Sequence, residues 1–481
     1  MQLSRIRSIP WLKQKERDFD IALESIYIQG FRRKYFQKYG FDFSLDTIAK
    51  SDGKIYFDAR DMEAARSLFL KKGKGLAAYA NKLTQRFLKS AKDYETFLAK
   101  HADFPYNRLL RRDLRKVYND DMEHLYRLIP YSFLISVTLE DVACEIIPQY
   151  LSKVGSKAVA LYMQLMVAPK LNRTAEEYRA RLRLAQMFQK TGSSPQFKRA
   201  IQNHRAHYDW MVCYAPFDAL LTEEALVEDI RKLAVKNPKR TLRLIEQTRN
   251  DSLHEAKRIF REAHLPAHIG ALVRVMQQNV WVRTYRRELM SYGFAKMRPM
   301  YQAIAGALQM NLQDFPHTES VEIAEMLVTG KRLSAATIRT RSKDFAFVQL
   351  NDTHVLLAGV RAKRLTVKGA TLDATDELHG RCAFPGSVQG SVTVIRKAEE
   401  LHHFRKGDIL VAFGVNTWMM PIIQKCSAIV TEEGGVLTHI ANIAREYRKP
   451  CIVGVKGATS VLRTGDSIEV NADVGTVKKL Q

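Results

Sequence analysis

Cysteine is scarce in this chain of 481 residues. The five cysteines are scattered and odd in number, and no C-x-x-C pair occurs among Cys144, Cys213, Cys382, Cys426 and Cys451. A disulfide framework or a zinc site would need paired or closely spaced cysteines. The sequence therefore predicts no metal site, and we expect the cysteines to be small buried hydrophobic residues.

Long apolar runs are missing as well. A helix that spans a bilayer needs about 18 uninterrupted apolar residues, and the sequence contains no such window. Residues 1–10 lack the apolar core that a signal peptide needs. We therefore expect a cytoplasmic protein that has no membrane partner.

Nucleotide-binding signatures are absent from residues 1–379. No glycine-rich loop followed by a lysine occurs there. The helical pattern leaves little room for the sheets of an ATP-grasp fold, and a TIM barrel would need about 250 residues of alternating strands and helices. No internal repeat of fixed period is found, so we expect a packed multi-helix domain rather than a solenoid.

Acidic residues are outnumbered by basic ones, 51 against 76, for a net charge of +25. The basic clusters, such as Arg32-Arg33-Lys34 and Arg111-Arg112, lie within helical patterns rather than in a low-complexity tail. This placement favours a solvated face, or attraction to an anionic substrate or acidic partner, over nucleic-acid binding.

Hydrophobic periodicity and turn residues divide residues 1–379 into three predicted segments. Residues 1–104 form an N-terminal helical segment, 105–345 a helical domain, and 346–379 a hairpin and linker. Apolar residues spaced for one face of a helix begin at Leu76 and continue through Phe87. A short strand or hairpin arm is predicted around Ile55 and Phe57.

Local signals mark several element ends. Asp61 is predicted to cap the helix that follows it, Thr174 to Glu177 reads as a capping box, and Thr222 opens a helix with acidic residues in its first turn. Two apolar runs flank Asn351-Asp352, which predicts a hairpin.

The helical domain contains one site-like run, from His204 to Trp210. His204 and His207 are spaced so that they could share a ligand, but no third metal ligand is evident, and aromatic packing is the favoured interpretation. Tyr208 and Trp210 are candidates to line an apolar pocket for a small-molecule acceptor.

The most informative stretch runs from Thr431 to Gly454. Residues 428–430 predict a buried strand, and Gly434-Gly435 predicts a loop free to take positive φ. Ile440, Ile443 and Ala444 predict the inner face of a short helix. His439 then lies at a helix start, where unpaired N–H groups and the helix dipole favour a phosphoryl group on the imidazole. Neutral imidazole is also a competent nucleophile at pH 7.

This stretch closely resembles the active-site segment of the swivelling phosphohistidine domain of phosphoenolpyruvate (PEP) synthase, pyruvate phosphate dikinase and rifampin phosphotransferase. The family pattern, T-x-x-G-G-x-x-S/T-H-x-x-x-x-A-R-E, is matched in register by Thr431, Gly434, Gly435, Thr438, His439, Ala444, Arg445 and Glu446. Leu437 departs from it, because several members have threonine there. The resemblance extends over residues 380–479, and residues 281–341 resemble more loosely the helical domain that precedes this domain in rifampin phosphotransferase.

The resemblance implies an α+β multidomain protein in which residues 380–481 form a compact α/β swivelling domain and His439 carries a phosphoryl group. Thr431 and Thr438 could hydrogen-bond the phosphate or its loop, and Gly434-Gly435 would let backbone amides approach it. Arg445 is either a phosphate clamp or part of an ion pair. No cofactor is expected on this chain itself; Mg-ATP is expected on an ATP-grasp partner in trans, and PEP is the other possible donor.

A second interpretation needs no catalysis. The chain would then be a regulatory or scaffold protein that keeps the fold and uses its basic helical surface to bind RNA or another protein. Phosphorylation of His439 separates the two hypotheses.

Overall fold

A computed structural model describes residues 6, 8–16, 20–102, 104–152, 158–367, 377–396, 398–415, 419–433, 440, 443–444 and 447–480. Within these residues, a large helical region is followed by a mixed α/β unit at the C-terminal end. This confirms the predicted α+β class, with a mostly helical N-terminal region followed by an α/β unit.

A five-stranded antiparallel sheet connects the beginning of the helical region to its end. Its strands are β1 (Trp11–Glu16), β2 (Thr47–Lys50), β3 (Lys54–Asp58), β4 (Phe345–Leu350) and β5 (Thr353–Ala358), in the order β1-β3-β2-β4-β5. β2 pairs with β4, so that Ile48 lies opposite Val348. These two side chains lie in a buried cluster on one face, whereas Phe57 and Phe347 pack into the helical core on the other.

The β4–β5 connection is the hairpin that the sequence predicts. Asn351 and Asp352 have φ angles of 48° and 69°. Two consecutive positive φ angles are what a two-residue type I′ turn requires, and Asn and Asp tolerate them better than most residues. The hairpin prediction is therefore confirmed.

Helices make up most of the region between β1 and β5. They are α1 (Ile21–Gly30), α2 (Arg33–Gln37), α3 (Ala59–Leu70), α4 (Leu76–His101), α5 (Arg111–Phe133), α6 (Glu140–Leu151), α7 (Ala158–Leu165), α8 (Arg173–Thr191), α9 (Pro195–Tyr208), α10 (Glu223–Val235), α11 (Pro238–Glu262), α12 (Ala267–Lys296), α13 (Arg298–Leu308), α14 (Ser320–Thr329) and α15 (Ala335–Lys343). A π-helical turn, Leu134–Leu139, joins α5 to α6, and 3₁₀ turns occur at Gly73–Gly75, Tyr106–Arg108, Asp209–Val212 and Leu312–His317. The predicted stripe on α4 is confirmed, since Leu76, Ala80, Leu83 and Phe87 are all buried.

Three strands lie within residues 1–104, where the sequence predicts mainly helix with one short strand or hairpin arm. Strand β2 has its second partner, β4, about 300 residues away, and no local periodicity can reveal such a pairing. The predicted divisions at 104/105 and 345/346 consequently separate residues that share this sheet and the helical core. Which segments fold independently stays a prediction.

Two of the three predicted caps are wrong. Asp58 caps α3 by accepting from the Arg60 N–H, while Asp61 accepts instead from the N–H of Asp46 at 2.8 Å. Asn172, rather than Thr174, caps α8. Thr222 caps α10 as predicted.

The C-terminal unit is built on an eight-stranded mixed sheet. Its strands are β6 (Glu377–His379), β7 (Arg381–Phe384), β8 (Ser387–Ile395), β9 (Ile409–Ala412), β10 (Ala428–Thr431), β11 (Cys451–Val453), β12 (Ser467–Asn471) and β13 (Thr476–Lys479), in the order β6-β13-β12-β8-β9-β10-β11-β7. Strands β8 to β11 are mutually parallel, and the remaining pairs are antiparallel. Helix α16 (Val360–Lys363) follows β5 and packs on the five-stranded sheet, whereas α17 (Met420–Ile423), α18 (Ala458–Val461) and a 3₁₀ turn at Ala398–His403 belong to the C-terminal unit.

Both faces of the parallel strands are buried. In β9, Ile409 and Val411 belong to one apolar cluster and Leu410 to another. The second cluster is continuous with the core of the helical region. Burial on both faces explains why these strands read as uninterrupted apolar runs in the sequence.

Among the described residues, an ion pair and a cation–π contact link the C-terminal unit to the rest of the chain. Arg381 of β7 forms an ion pair with Asp141 of α6, with Nη1 and Oδ1 2.5 Å apart. The Lys13 ammonium of β1 lies 3.9 Å from the centroid of the Phe413 ring. These contacts lie on different parts of the sheet, because Arg381 begins β7 and Phe413 follows β9.

The cysteines match the expectation of small buried residues. None of the five, all of them described, forms a disulfide; four are buried, and Cys144 is partly exposed. Burial raises the pKa of Cys144 and Cys213 to about 12 and that of Cys426 to about 11. These three thiols are thus protonated and weakly nucleophilic near neutral pH.

Candidate functional site

The parallel strands create one edge at which their carboxyl ends meet. β8 ends at Ile395, β9 at Ala412, β10 at Thr431 and β11 at Val453. Ile395, Ala412 and Thr431 lie opposite one another in register. In open α/β sheets this is the edge at which ligands bind, because the loops that leave it converge.

Thr431 closes β10 at this edge and is fully buried. Its hydroxyl donates to the backbone carbonyl of Glu433 at 2.8 Å, and its own carbonyl accepts from the N–H of Val455 at 2.9 Å. The side chain thus shapes the first residues of the loop after β10. Contact between Thr431 and a phosphate stays a prediction.

Glu432 and Glu433 hold the start of this loop against two neighbouring loops. Glu432 Oε1 accepts from the Thr459 backbone N–H at 2.7 Å and also from the Thr459 hydroxyl. The Glu433 N–H donates to the carbonyl of Phe413. A side-chain carbon at Gly414 would overlap Glu433 Oε2, so the carboxylate would have to move to admit a larger residue. Sequence reasoning assigned no role to either glutamate.

The described residues after this loop return to the predicted pattern. Ile440, Ile443 and Ala444 are helical and buried, which confirms the predicted inner face. The Lys449 N–H then donates to the carbonyl of Ala444, and the chain enters β11.

Five predicted site residues lie outside the described residues: His439, Gly434, Gly435, Thr438 and Arg445. Their roles stay predictions.

A cavity of about 340 Å³ opens at the same edge, between the C-terminal unit and the five-stranded sheet. Its polar lining comes from Lys13 of β1, Lys54 of β3, Arg396 after β8, and Thr459 and Ser460 of α18. Phe413 and Gly414, the residues that touch Lys13 and Glu433, also line it. The cavity therefore adjoins the residues that begin the loop after β10.

A second cavity, of about 400 Å³, lies between β7 and helices α3, α6 and α7. Both of its lining arginines are paired, Arg66 with Glu145 and Arg381 with Asp141. The positive charge of these arginines is therefore compensated by carboxylates of the same lining.

Tyr208 and Trp210 line neither cavity. Trp210 is buried, its indole N–H donates to the carbonyl of His207 at 2.7 Å, and its ring packs edge-on against Tyr292. Tyr208 is partly buried beside His204. Their role in binding an acceptor stays a prediction.

His204 contacts a carboxylate rather than a second histidine. Its Nε2 lies 3.0 Å from Glu177 Oε1, whereas the His207 Nδ1 lies 2.8 Å from the carbonyl of Asn203. Burial acts to raise the pKa of Glu177, but hydrogen bonds from His204 and Arg181 outweigh it and leave the pKa below its ordinary value. This arrangement agrees with the structural interpretation of the run.

One carboxylate cluster among the described residues has a geometry that could hold a metal ion. It consists of Asp46, Asp58 and Asp61, whose oxygens lie within 4.8 Å of one another. Each already accepts a backbone N–H: Asp46 from Asn351, Asp58 from Arg60 and Asp61 from Asp46. Protein donors thus account for the cluster, and burial raises the pKa of Asp61 to about 6.

Comparison with known proteins identifies the unit that carries this edge. The family described as "PEP-utilising enzyme, mobile domain" matches residues 404–475. This part of the chain is a PEP-utilising enzyme mobile domain.

The mobile domain has relatives among curated proteins. A probable phosphoenolpyruvate synthase of Pyrococcus horikoshii is 39% identical over 121 residues, which are 24% of this chain and 15% of that protein. The phosphoenolpyruvate synthase of Pyrococcus furiosus is 43% identical over 102 residues, 21% of this chain and 12% of its own length. An uncharacterized phosphotransferase of Bacillus subtilis, YvkC, is 38% identical over 102 residues, with the same coverages.

The matched part thus spans less than a sixth of the length of these relatives. Among the described helices, none is both long and apolar enough to cross a bilayer.

Proposed function

We propose that this protein is a phosphotransferase component that carries a phosphoryl group on His439 and passes it to a small-molecule acceptor. The observation that carries the proposal is the Thr431-to-Gly454 segment. Its sequence follows the phosphohistidine pattern, and its first residue, Thr431, ends β10 at the carboxyl edge of the parallel strands, within the part of the chain that matches a PEP-utilising enzyme mobile domain.

The transfer takes place in two displacements at phosphorus. A lone pair of the neutral His439 imidazole forms an N–P bond while the P–O bond to the donor breaks, and the leaving oxygen keeps the electron pair. An acceptor oxygen then forms a new P–O bond, the N–P bond breaks, and its electron pair returns to the imidazole. Backbone N–H groups and hydroxyls near Gly434-Gly435, Thr431 and Thr438 would stabilise the developing charge.

The phosphoryl donor is Mg-ATP bound to an ATP-grasp partner, or PEP. Phosphoryl transfer from a nucleotide needs a positioned Mg²⁺ and a cationic clamp, which an ATP-grasp protein would supply in trans. With ATP as donor and AMP as product, one phosphoryl group stays on His439 and water releases the other as inorganic phosphate.

We expect the full chain to become labelled on His439 when it is incubated with radiolabelled PEP, or with an ATP-grasp partner and Mg-ATP. His439→Ala should remove the label, because no other residue supplies the nucleophile at this position. The label should be labile in acid and stable in alkali. Label stoichiometry, AMP formation and circular dichroism of both proteins are the measurements.

His403→Ala is the matched control, since His403 is an exposed histidine on the same unit. It should be labelled like the parent. Label that persists in the His439→Ala protein, or that is stable in acid, would disprove the proposal. Salt-dependent RNA binding without any phosphohistidine would support the scaffold interpretation instead.

A further inference from the structure

The junction where α10 ends and α11 begins combines exposed positive charge with exposed aliphatic side chains. We call this surface the basic corner, and its residues are Val235, Lys236, Lys239, Arg240, Arg243 and Leu244. No aspartate or glutamate occurs between Asp229 and Glu246, whereas six lysines and arginines do. The corner is therefore a local concentration of one sign of charge.

The four cations of the corner are exposed and form no ion pair with any described residue, a set that includes all of 158–367. Of the carboxylates nearest along the chain, Glu228 pairs with Lys232 at 2.7 Å and Asp229 with Arg181 at 3.2 Å. Glu246 is exposed on α11. Counting its charge in full against the four cations still leaves three positive charges.

Two large aliphatic side chains lie in water beside these cations. Val235 is 91% exposed and Leu244 is 60% exposed. The opposite face of α11 supplies the packing, since Ala256 and Ile259 are buried. Burial of apolar surface is what stabilises a fold, so these two exposed side chains contribute nothing of that kind to it.

The backbone of the corner is fixed by side-chain hydrogen bonds. Asn237 caps α11 by accepting from the Arg240 N–H at 2.9 Å. Gln189 of α8 donates through Nε2 to the carbonyls of Ala234 at 2.6 Å and of Lys236 at 3.3 Å. The cations and aliphatic groups are thus presented on a preorganised surface, which lowers the ordering cost of binding.

The charges at the start of α11 oppose helix formation. Its first turn contains Lys239 and Arg240 and no acid, although the helix dipole favours negative charge there. Lys239 and Arg243 are four residues apart, a spacing at which like charges repel. Departures from local preference that do not improve packing are expected at functional surfaces.

This combination of cations and aliphatic side chains fits an anionic bilayer. Clusters of about four to eight lysines and arginines attract anionic lipids, and adjacent apolar side chains enter the boundary of the acyl chains. Single-stranded RNA is bound through aromatic side chains on which bases stack, and the corner has none. A stable protein interface uses about 20–30 residues a side, far more than the corner offers.

We infer that the basic corner attaches this protein to anionic membrane surfaces, with lipid headgroups at its cations and Val235 and Leu244 among the acyl chains. This function is separate from phosphoryl transfer by His439. The expectation of no membrane partner rests on the lack of spanning segments, which does not bear on attachment at a surface.

Sedimentation of the full chain with vesicles at about 0.1 M salt tests the inference. Phosphatidylcholine vesicles with about 30 mol% phosphatidylserine should bind the parent protein, and pure phosphatidylcholine should not. The charge variant, Lys239→Gln/Arg240→Gln/Arg243→Gln, should bind about 100-fold more weakly, at about fivefold per cation. The aliphatic variant, Val235→Ser/Leu244→Ser, keeps the charge and should bind at least about tenfold more weakly, because its apolar insertion is lost.

The control variant, Lys82→Gln/Lys89→Gln/Lys100→Gln, removes the same charge from exposed positions on α4. It should bind vesicles like the parent, because its lysines lie outside the corner. Circular dichroism of each variant checks that the fold is retained.

Four results would overturn the inference: no binding to anionic vesicles, equal binding to neutral ones, parent-like binding by the charge variant, or equal weakening in the control variant. Parent-like binding by the aliphatic variant would also overturn it, since the corner would then attract any polyanion. Single-stranded RNA and polyglutamate are measured alongside. Binding of either one without vesicle binding would assign the corner to nucleic acid or to acidic proteins instead.

Discussion

Asp121 is a buried carboxylate at the centre of the helical region. Its two oxygens accept hydrogen bonds from Tyr94 of α4 at 2.9 Å and from Tyr301 of α13 at 3.0 Å. Burial raises the pKa of Asp121 from its ordinary value of 3.8 to about 7, although both hydrogen bonds act in the opposite direction. A single acid thus connects three helices and is costly to ionise.

The raised pKa predicts a stability that depends on pH. Between about pH 4 and 7 the folded state keeps a proton on Asp121 that the unfolded state releases, so the free energy of unfolding falls as the pH rises. Asp121→Asn cannot ionise and keeps groups able to pair with both tyrosines. Its free energy of unfolding relative to the parent should therefore increase when the pH is raised from 4.5 to 7.5. The increase should be up to a few kcal/mol, at about 1.4 kcal/mol per pKa unit.

Thermal unfolding at the two pH values measures this gain, with Asp120→Asn as an exposed control on the same helix. Using the difference from the parent removes the contribution of other acids, such as Asp20, whose pKa burial also raises to about 7. A difference that does not change with pH would contradict the assignment.

For single residues, the sequence indicates which side chains have a role but not which groups they bond to. Thr431 was selected from a motif, but the acceptor of its hydroxyl, the Glu433 carbonyl, depends on how the loop turns after β10. Thr174 shows the same limit. It was predicted as a cap, yet its hydroxyl donates to Glu288 of α12, more than 100 residues away. Only the folded chain brings that acceptor within reach.

Among the elements, helices α1 and α5 approach so closely that only glycine fits between them. A methyl group at Gly30 would overlap the Cβ and both γ-carbons of Ile129. Since Ile129 is fully buried, it has little room to move away. The contact therefore fixes the separation of the two helices.

Gly30→Ala should lower stability by about 1–3 kcal/mol, the usual effect of overpacking a core. Gly306→Ala is the matched control, because Gly306 lies in α13 with no atom within 4 Å of the added methyl group. That variant should be neutral or stabilised by about 0.5–1 kcal/mol. Urea unfolding of both variants checks the prediction, and equal effects of the two substitutions would refute it.

The elements also show where periodicity succeeds. The α4 stripe and the parallel strands of the C-terminal sheet were predictable because burial repeats along the chain with the period of the helix or continues through the strand. The five-stranded sheet was not, since β2 is only four residues long and pairs with β4 across the whole helical region. The cavity lined by Lys13 and Arg396 was unpredictable for the same reason.

For the whole molecule, the sequence predicts an independent unit that starts at residue 380, preceded by a linker through 368–379. In the structure the unit begins one strand earlier than residue 380, because β6 (Glu377–His379) pairs with β13. All eight strands of the sheet therefore lie within residues 377–479.

A fragment of residues 368–481 should fold alone and unfold cooperatively. A fragment of residues 381–481 lacks β6, exposes one side of β13, and should melt at least about 4 °C lower, since 1 kcal/mol shifts Tm by about 4–8 °C in a domain of this size. Calorimetry on both fragments, with limited proteolysis of the full chain, measures this. An unfolded longer fragment, or first cleavage inside 400–470, would contradict the two-part architecture.

The pairing of β2 with β4 also has a consequence for biosynthesis. Ribosomes add about 5–20 residues per second, so roughly 15–60 s pass between the emergence of Thr47 and that of its partner Gln349. During that interval one side of β2 has no strand to pair with, and exposed strand edges promote aggregation. A nascent chain stalled before residue 345 would hold every helix from α1 to α15 and still lack a complete sheet, so we expect the open edge of β2 to be exposed to other chains throughout this interval.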